Sequence, residues 1–167
     1  LAGWLAATAG LAAAGALAVW TPLPRVMPIA ALAVVSAQLA LRRGWARAAL
    51  AATPLAWLVG VQAFRVGVEL ALYLLHVGGR APAQITFAGR NFDIVVGATA
   101  PALAWAIARG RAAPRLIVAW NAAGLVILLS TIAVVATSVP GPLRRDWGGA
   151  PFTALASFPV IWLPAVL

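Results

Sequence analysis

The sequence predicts an all-α fold, a polytopic transmembrane helical bundle of about six spans with both termini cytoplasmic. Three observations predict it. The chain of 167 residues is 64% hydrophobic and only 9% charged, with a mean hydropathy of +1.00. Soluble domains carry about 25% charged residues, so this composition cannot build a water-facing surface. Second, apolar runs near the length of a bilayer crossing alternate with short clusters of Pro, Gly and Arg. Third, all twelve basic residues are Arg, set against three acids, and eleven of them fall in or at the edges of those gaps. That distribution reads as a topology signal and excludes the basic face that a nucleic-acid partner would need. The expected partners are the lipid bilayer and other membrane protein subunits.

The spans follow in order, within one domain covering 1–167. The first, roughly 3–20, is rich in Ala and Gly, has Trp4 and Trp20 as interfacial anchors, and breaks at Thr21-Pro22-Leu23-Pro24. The second, 26–41, is short. The third, 48–77, would reach about 45 Å if helical throughout, so tilt, a kink at Pro54 or a protruding end is expected. The fourth, 93–108, starts where Asn91 or Asp93 can cap a helix, and its Gly97, Ala100, Ala104 and Ala108 form a small-residue stripe suited to close packing. In the fifth, 115–138, Asn121 beside Trp120 suggests an interhelical hydrogen bond, and Ser130, Thr131, Thr137 and Ser138 are expected to bond back to their own helix. The sixth, 152–167, carries Pro159 and Pro164. The chain opens at Leu1 and stops inside an apolar run, so further residues are expected beyond its ends.

Arginine counts set the orientation. Arg42, Arg43 and Arg47 follow the second span, and Arg109, Arg111 and Arg115 follow the fourth, without acidic neighbours. The other gaps hold Arg25 alone, Arg80 and Arg90 before Asp93, and Arg144 and Arg145 with Asp146. The positive-inside rule places the two three-Arg gaps in the cytoplasm and the 78–92 loop outside.

Chemistry concentrates on one helical stripe. Gln62, Arg65, Glu69, Tyr73 and His76 fall within an arc of about 80° at 100° per residue. An unpaired charge at such depth costs about 2.5–3.5 kcal/mol on insertion scales. The loop segment Gln84-Ile85-Thr86-Phe87-Ala88-Gly89-Arg90-Asn91-Phe92-Asp93 is long enough to fold back and bring Arg90, Asn91 and Asp93 to that stripe. Arg65, Glu69, Arg90 and Asp93 would then form an intramembrane ion-pair quartet of zero net charge, which is what burial demands. A structural clasp, a site for an anionic or polar headgroup, and a proton relay through Glu69, Tyr73 and His76 are the readings this stripe admits.

Cofactor identity is open. One histidine excludes a bis-His haem within the chain but leaves axial ligation of a pigment by His76 open. Zinc is not expected with one His and no Cys, and the absence of Cys removes disulfide and thiol chemistry. Gly78-Gly79-Arg80 lacks the spacing and Lys of a phosphate loop, and no Ser/His/acid arrangement is visible.

Val68-Glu69-Leu70 through Tyr73, then Thr86-Phe87-Ala88-Gly89-Arg90-Asn91-Phe92-Asp93-Ile94, then Trp120-Asn121 resemble a set of small uncharacterised bacterial multi-helix integral membrane proteins carrying a T-F-x-G-R-N-F-D-I stretch. The resemblance covers roughly half of the chain. It implies a bacterial inner membrane and residues that belong together, and it implies no activity. The similar proteins tend to carry an acid where this chain has Ala88, which weighs against a carboxylate metal site in the loop.

The expected function is that of a non-enzymatic integral membrane protein, free-standing or an accessory subunit of a larger assembly. The alternative is a small transporter or a lipid or anionic-ligand binder, its outward cavity lined by Gln62, Arg65, Glu69, Tyr73, Arg90 and Asp93. An intramembrane enzyme ranks third, because no reacting group stands out near Glu69 or His76.

Overall fold

The computed structural model describes residues 2–162, apart from the side chain of Val34. These residues form helices and 3₁₀ turns without a strand among them. In chain order the helices are α1 (Ala2–Ala13), α2 (Val26–Leu41), α3 (Gly44–Ala52), α4 (Leu55–Gly60), α5 (Phe64–Val77), α6 (Asp93–Ala108) and α7 (Pro114–Ser138). A 3₁₀ turn at Val61–Ala63 joins α4 and α5 into one 23-residue rod.

That rod and the 25-residue α7 are long and apolar enough to cross a membrane. The pair α2 and α3 reaches the same standard only if taken together, and it bends by 81° at its break. Arg47 turns back at this bend, donating from Nε to the Leu41 carbonyl and from Nη2 to that of Arg42, both at 3.2 Å. It thereby satisfies acceptors that the end of α2 leaves open. α1 and α6 are apolar but shorter, at 12 and 16 residues. By length and composition the described helices therefore support two or three crossings, not clearly six.

Three expected spans change shape. Composition predicts the first through residue 20, but α1 ends at Ala13. Gly15 adopts φ 69°, and the amides of Gly15 and Ala16 donate to the carbonyls of Ala12 and Leu11, both at 3.0 Å. This is a Schellman cap, which only a residue free to take positive φ closes cheaply. Apolar composition continues past it, and the helix does not. The third span was expected to run from 48 with a kink at Pro54. Instead Thr53 is extended (φ −85°, ψ 125°), residues 48–52 belong to α3, and a new helix starts at Leu55. Proline disfavours helical backbone in the residue before it and has no amide to continue the ladder. The sixth span is no α-helix over its described part. It consists of 3₁₀ turns at Thr153–Ala156 and Val160–Trp162, separated by extended Ser157 and a turn at Phe158 and Pro159. Its last residues, with Pro164, lie outside the described residues.

The core lies at the end where α5 stops, α6 starts and α7 stops. Val68 and Leu72 of α5, Ile85 of the connecting loop and Val134 of α7 pack there with Phe152, Leu155 and Ile161. Trp162 Nε1 donates to the Leu5 carbonyl at 3.2 Å, which ties this C-terminal segment to α1. The 78–92 loop is no loose excursion. Gly79, at φ 70°, caps α5 as Gly15 caps α1, and Arg80 N–H reaches the Leu75 carbonyl at 2.8 Å. The chain then dives inward through a 3₁₀ turn at Ala83–Ile85, burying Gln84, Ile85 and Thr86. A side chain on Gly89 would collide with the Ala83 carbonyl, so the loop closes on itself only with glycine there.

α6 lies against the 55–77 rod at backbone range. A Cβ on Gly97 would sit 2.8 Å from Val66 N and 3.1 Å from Arg65 Cβ, and one on Gly60 would sit 3.3 Å from Ala104 Cβ. Gly97→Ala is expected to destabilise the protein by about 1–3 kcal/mol, because the blocking atom is backbone and cannot swing away. Gly67→Ala, in the same rod with nothing within 4 Å of the new methyl, should instead stabilise by up to about 1 kcal/mol. Unfolding midpoints in detergent check both. Equal midpoints for the two variants would show that the close approach does not exist.

Candidate functional site

Asn91 is the centre of the site. Its side chain is fully buried, and it bonds to three other segments. Asn91 Nδ2 donates to Glu69 Oε1 on α5, and also to the Ile85 carbonyl at 3.2 Å. Asn91 Oδ1 accepts the Asp93 amide at 3.1 Å and the Thr131 hydroxyl of α7 at 2.7 Å. Four bonds use the full capacity of a carboxamide. Beside it, Arg65 Nη1 pairs with Asp93 Oδ1 at 2.7 Å, and Arg65 Nε donates to Gln62 Oε1 at 2.9 Å. Arg65 is 7% exposed, while Glu69, Asn91 and Asp93 are at 0%.

Local sequence explains the arrangement. Gln62, Arg65 and Glu69 are spaced three and four residues apart, so they share a face of the rod and meet α6 where Gly97 lets the helices approach. Asp93 is the first residue of α6, where a carboxylate favours the positive end of the helix dipole. The capping position belongs to Phe92 rather than to Asn91 or Asp93, although Asn91 Oδ1 satisfies one of the free amides of the first turn. Glu69 Oε2 and Asp93 Oδ2 are buried without a hydrogen-bond partner.

Arg90 departs from the expected quartet. It is exposed, with its guanidinium 4.8 Å from the centroid of the Trp147 ring. Asn91 fills the space beside Glu69, and an uncharged amide there needs no desolvation of a second guanidinium. A cation stacked on an indole at the surface keeps its hydration on one face. The cluster thus holds one cation and two carboxyls. Tyr73 and His76 also stand apart from it. The half-buried Tyr73 ring stacks on Phe87 at 4.9 Å, and His76 Nδ1 sits 2.9 Å from the Ala81 carbonyl. Both pin the loop, and among the described residues no hydrogen bond joins either to Glu69.

Sequence reasoning missed the partners on α7. Thr131 was expected to bond to its own helix, yet it donates to Asn91. Ser138 does bond back, to the Val134 carbonyl at 2.7 Å, and in addition accepts from Gln84 Nε2 at 3.2 Å. Thr131, Val134 and Ser138 are the buried residues of α7 and fall at i, i+3 and i+7. That spacing signals a shared inward face, which Ser130 and Thr137 do not join, but it does not name the partners. Asn121 bonds to the Ile117 carbonyl of its own helix at 2.9 Å, so the expected interhelical bond belongs to its neighbour. Trp120 Nε1 donates to Thr99 Oγ1 of α6 at 2.9 Å.

Among the described residues no three His, Asp or Glu side chains converge, so no metal-binding set can be named. What the cluster can do is lock four segments in one register. The chain matches no protein-family model, no curated protein and no solved structure.

Proposed function

We propose that this chain is a non-enzymatic integral membrane protein of a bacterial inner membrane, serving as an accessory subunit of a larger membrane assembly. In this reading about six segments enter the bilayer, some as short or broken helices, and both ends are cytoplasmic. Arg65, Glu69, Asn91 and Asp93 organise the outer half. The observation that carries it is closure: Arg65 pairs with Asp93, Asn91 donates to Glu69 and accepts from the Asp93 backbone amide and the Thr131 hydroxyl of α7, and all four side chains are almost wholly shielded. A transport or substrate site needs groups that a ligand can reach, and this cluster offers none. Large apolar residues on α5 and α7 remain uncovered by the chain's own packing, among them Leu74, Val77, Val118 and Val126. Such faces suit acyl chains or helices of another subunit.

Glu69→Leu tests the proposal. Leucine keeps the volume and removes the acceptor of Asn91, so folding stability in detergent should fall by about 1–3 kcal/mol. Subunits that co-purify with the wild type from native membranes should be lost in parallel. An unchanged unfolding midpoint combined with loss of solute uptake would overturn the structural role and favour a transporter.

A further inference from the structure

α3 stands almost alone on the molecule. It meets α2 at 81°, and extended Thr53 ahead of Pro54 separates it from the rod that follows. Ala46 is its one buried residue, while Trp45 is 71% and Leu50 44% exposed. At 100° per residue Trp45, Ala46, Ala49 and Leu50 fall within an arc of about 140°. Arg47 lies outside that arc, and Ala51 is almost opposite its centre. Arg42 and Arg43, in the corner itself, are exposed, and among the described residues neither pairs with a carboxylate.

The last turn of α6 shares this end of the molecule, because Gly60, near the start of the rod, packs against Ala104. There the guanidiniums of Arg109 and Arg111 flank the exposed Trp105 ring at 5.2 and 5.5 Å from its centroid. None of the chain's three acids is placed here. Glu69 and Asp93 belong to the buried cluster, and Asp146 follows the far end of α7. The end is therefore basic without compensation, with indoles set among its guanidiniums.

We propose, on the reading that α2 crosses the bilayer and that this end is cytoplasmic, that α3 lies in the plane of the membrane surface and, with Arg42, Arg43, Arg109 and Arg111, binds the headgroups of anionic phospholipids. The corner decides the placement. With α2 along the membrane normal, the nine residues of α3 add only about 2 Å of depth at 1.5 Å rise per residue. The pair is thus one crossing with an in-plane foot. Trp45 and Leu50 reach the boundary between headgroups and acyl chains. Each arginine beside an anionic leaflet contributes about a fivefold preference for it.

The chain has no cysteine, so single-cysteine variants test the placement directly. Ala49→Cys, on the arc, and Ala51→Cys, opposite it, are labelled with a nitroxide in the full chain, reconstituted into vesicles of phosphatidylglycerol and phosphatidylcholine. The label at position 49 should exclude a nickel chelate and report a depth of about 5–10 Å, while the chelate reaches the label at position 51. Exclusion at both positions overturns the proposal by placing α3 in the hydrocarbon. Free access at both overturns it by placing α3 in water, where an acidic protein would be the fitting partner. A fluorophore at position 49 then reads the lipid. Brominated phosphatidylglycerol should associate there at least about fivefold more strongly than brominated phosphatidylcholine. Arg42→Gln with Arg43→Gln should bring that ratio close to one, and Arg144→Gln, beyond the far end of α7, should leave it unchanged. No preference for phosphatidylglycerol, or equal losses in the two sets of variants, overturns the headgroup site. Carbonate washing separates the failures: a chain retained on the vesicles with both labels in water overturns the in-plane helix alone, whereas a chain stripped from them overturns the membrane reading as well.

Discussion

Asn91→Ala is expected to lower folding stability by about 2–4 kcal/mol, measured as the unfolding free energy in detergent. Individual interhelical hydrogen bonds in membrane proteins average about 0.6 kcal/mol, with a maximum near 1.7. Four such bonds converge on Asn91, from Glu69, Ile85, Asp93 and Thr131, which sets the lower figure. The upper figure follows because alanine leaves a buried carboxyl, a hydroxyl and a helix-end amide without partners, and orphaned groups cost more than the bonds gained. Asn91→Asp sharpens the test. Aspartate keeps the volume and the oxygen that accepts from Thr131 and Asp93, but it sets an oxygen against Glu69 where a donor stood. It should be at least as damaging as alanine. If both variants unfold like the wild type, Asn91 does not join the four segments.

The α6 and α7 helices were legible almost to the residue, because Pro, Gly and Arg punctuate both of their ends. α1 and the C-terminal segment were not, for a shared physical reason. Hydropathy reports how willingly a stretch leaves water, while helicity depends on backbone signals such as Gly15 at positive φ and the proline at 159. Ala-rich stretches carry the first signal and mask the second. In the site, the stripe from Gln62 to Glu69 was legible because helical periodicity fixes which side chains share a face. The role of Arg90 was misread through charge balance. Neutrality is a condition on a buried cluster, but it does not say which residue of an Arg-Asn pair enters it. Loop geometry decides that, and here it turns Asn91 inward and leaves Arg90 on Trp147. Thr131 could not be assigned from α7 alone, since its partner comes from a loop 40 residues away.

Arg65→Leu should cost about 3–5 kcal/mol, because it strands Asp93 beside Glu69 with no cation between them. Asp93→Leu should cost a similar amount by leaving the guanidinium buried and held only by Gln62. The informative variant removes both. Arg65→Leu with Asp93→Leu deletes the ion pair together with its desolvation cost, and the residues that follow on the same helix faces, Val68 after Arg65 and Val96 and Ala100 after Asp93, are buried and apolar. The double variant should therefore recover about 1–3 kcal/mol relative to the sum of the single losses. Such coupling is expected from the 2.7 Å contact, and simple additivity would mean that the two side chains do not meet in the folded protein. The double variant also separates stability from assembly. Asn91 still holds Glu69 and Thr131 in it, so the register of α5, the loop and α7 survives. If the chain is the accessory subunit proposed above, co-purifying subunits should then remain bound although the charges are gone. Loss of those subunits from a well-folded double variant would show that the ion pair itself is what the assembly recognises.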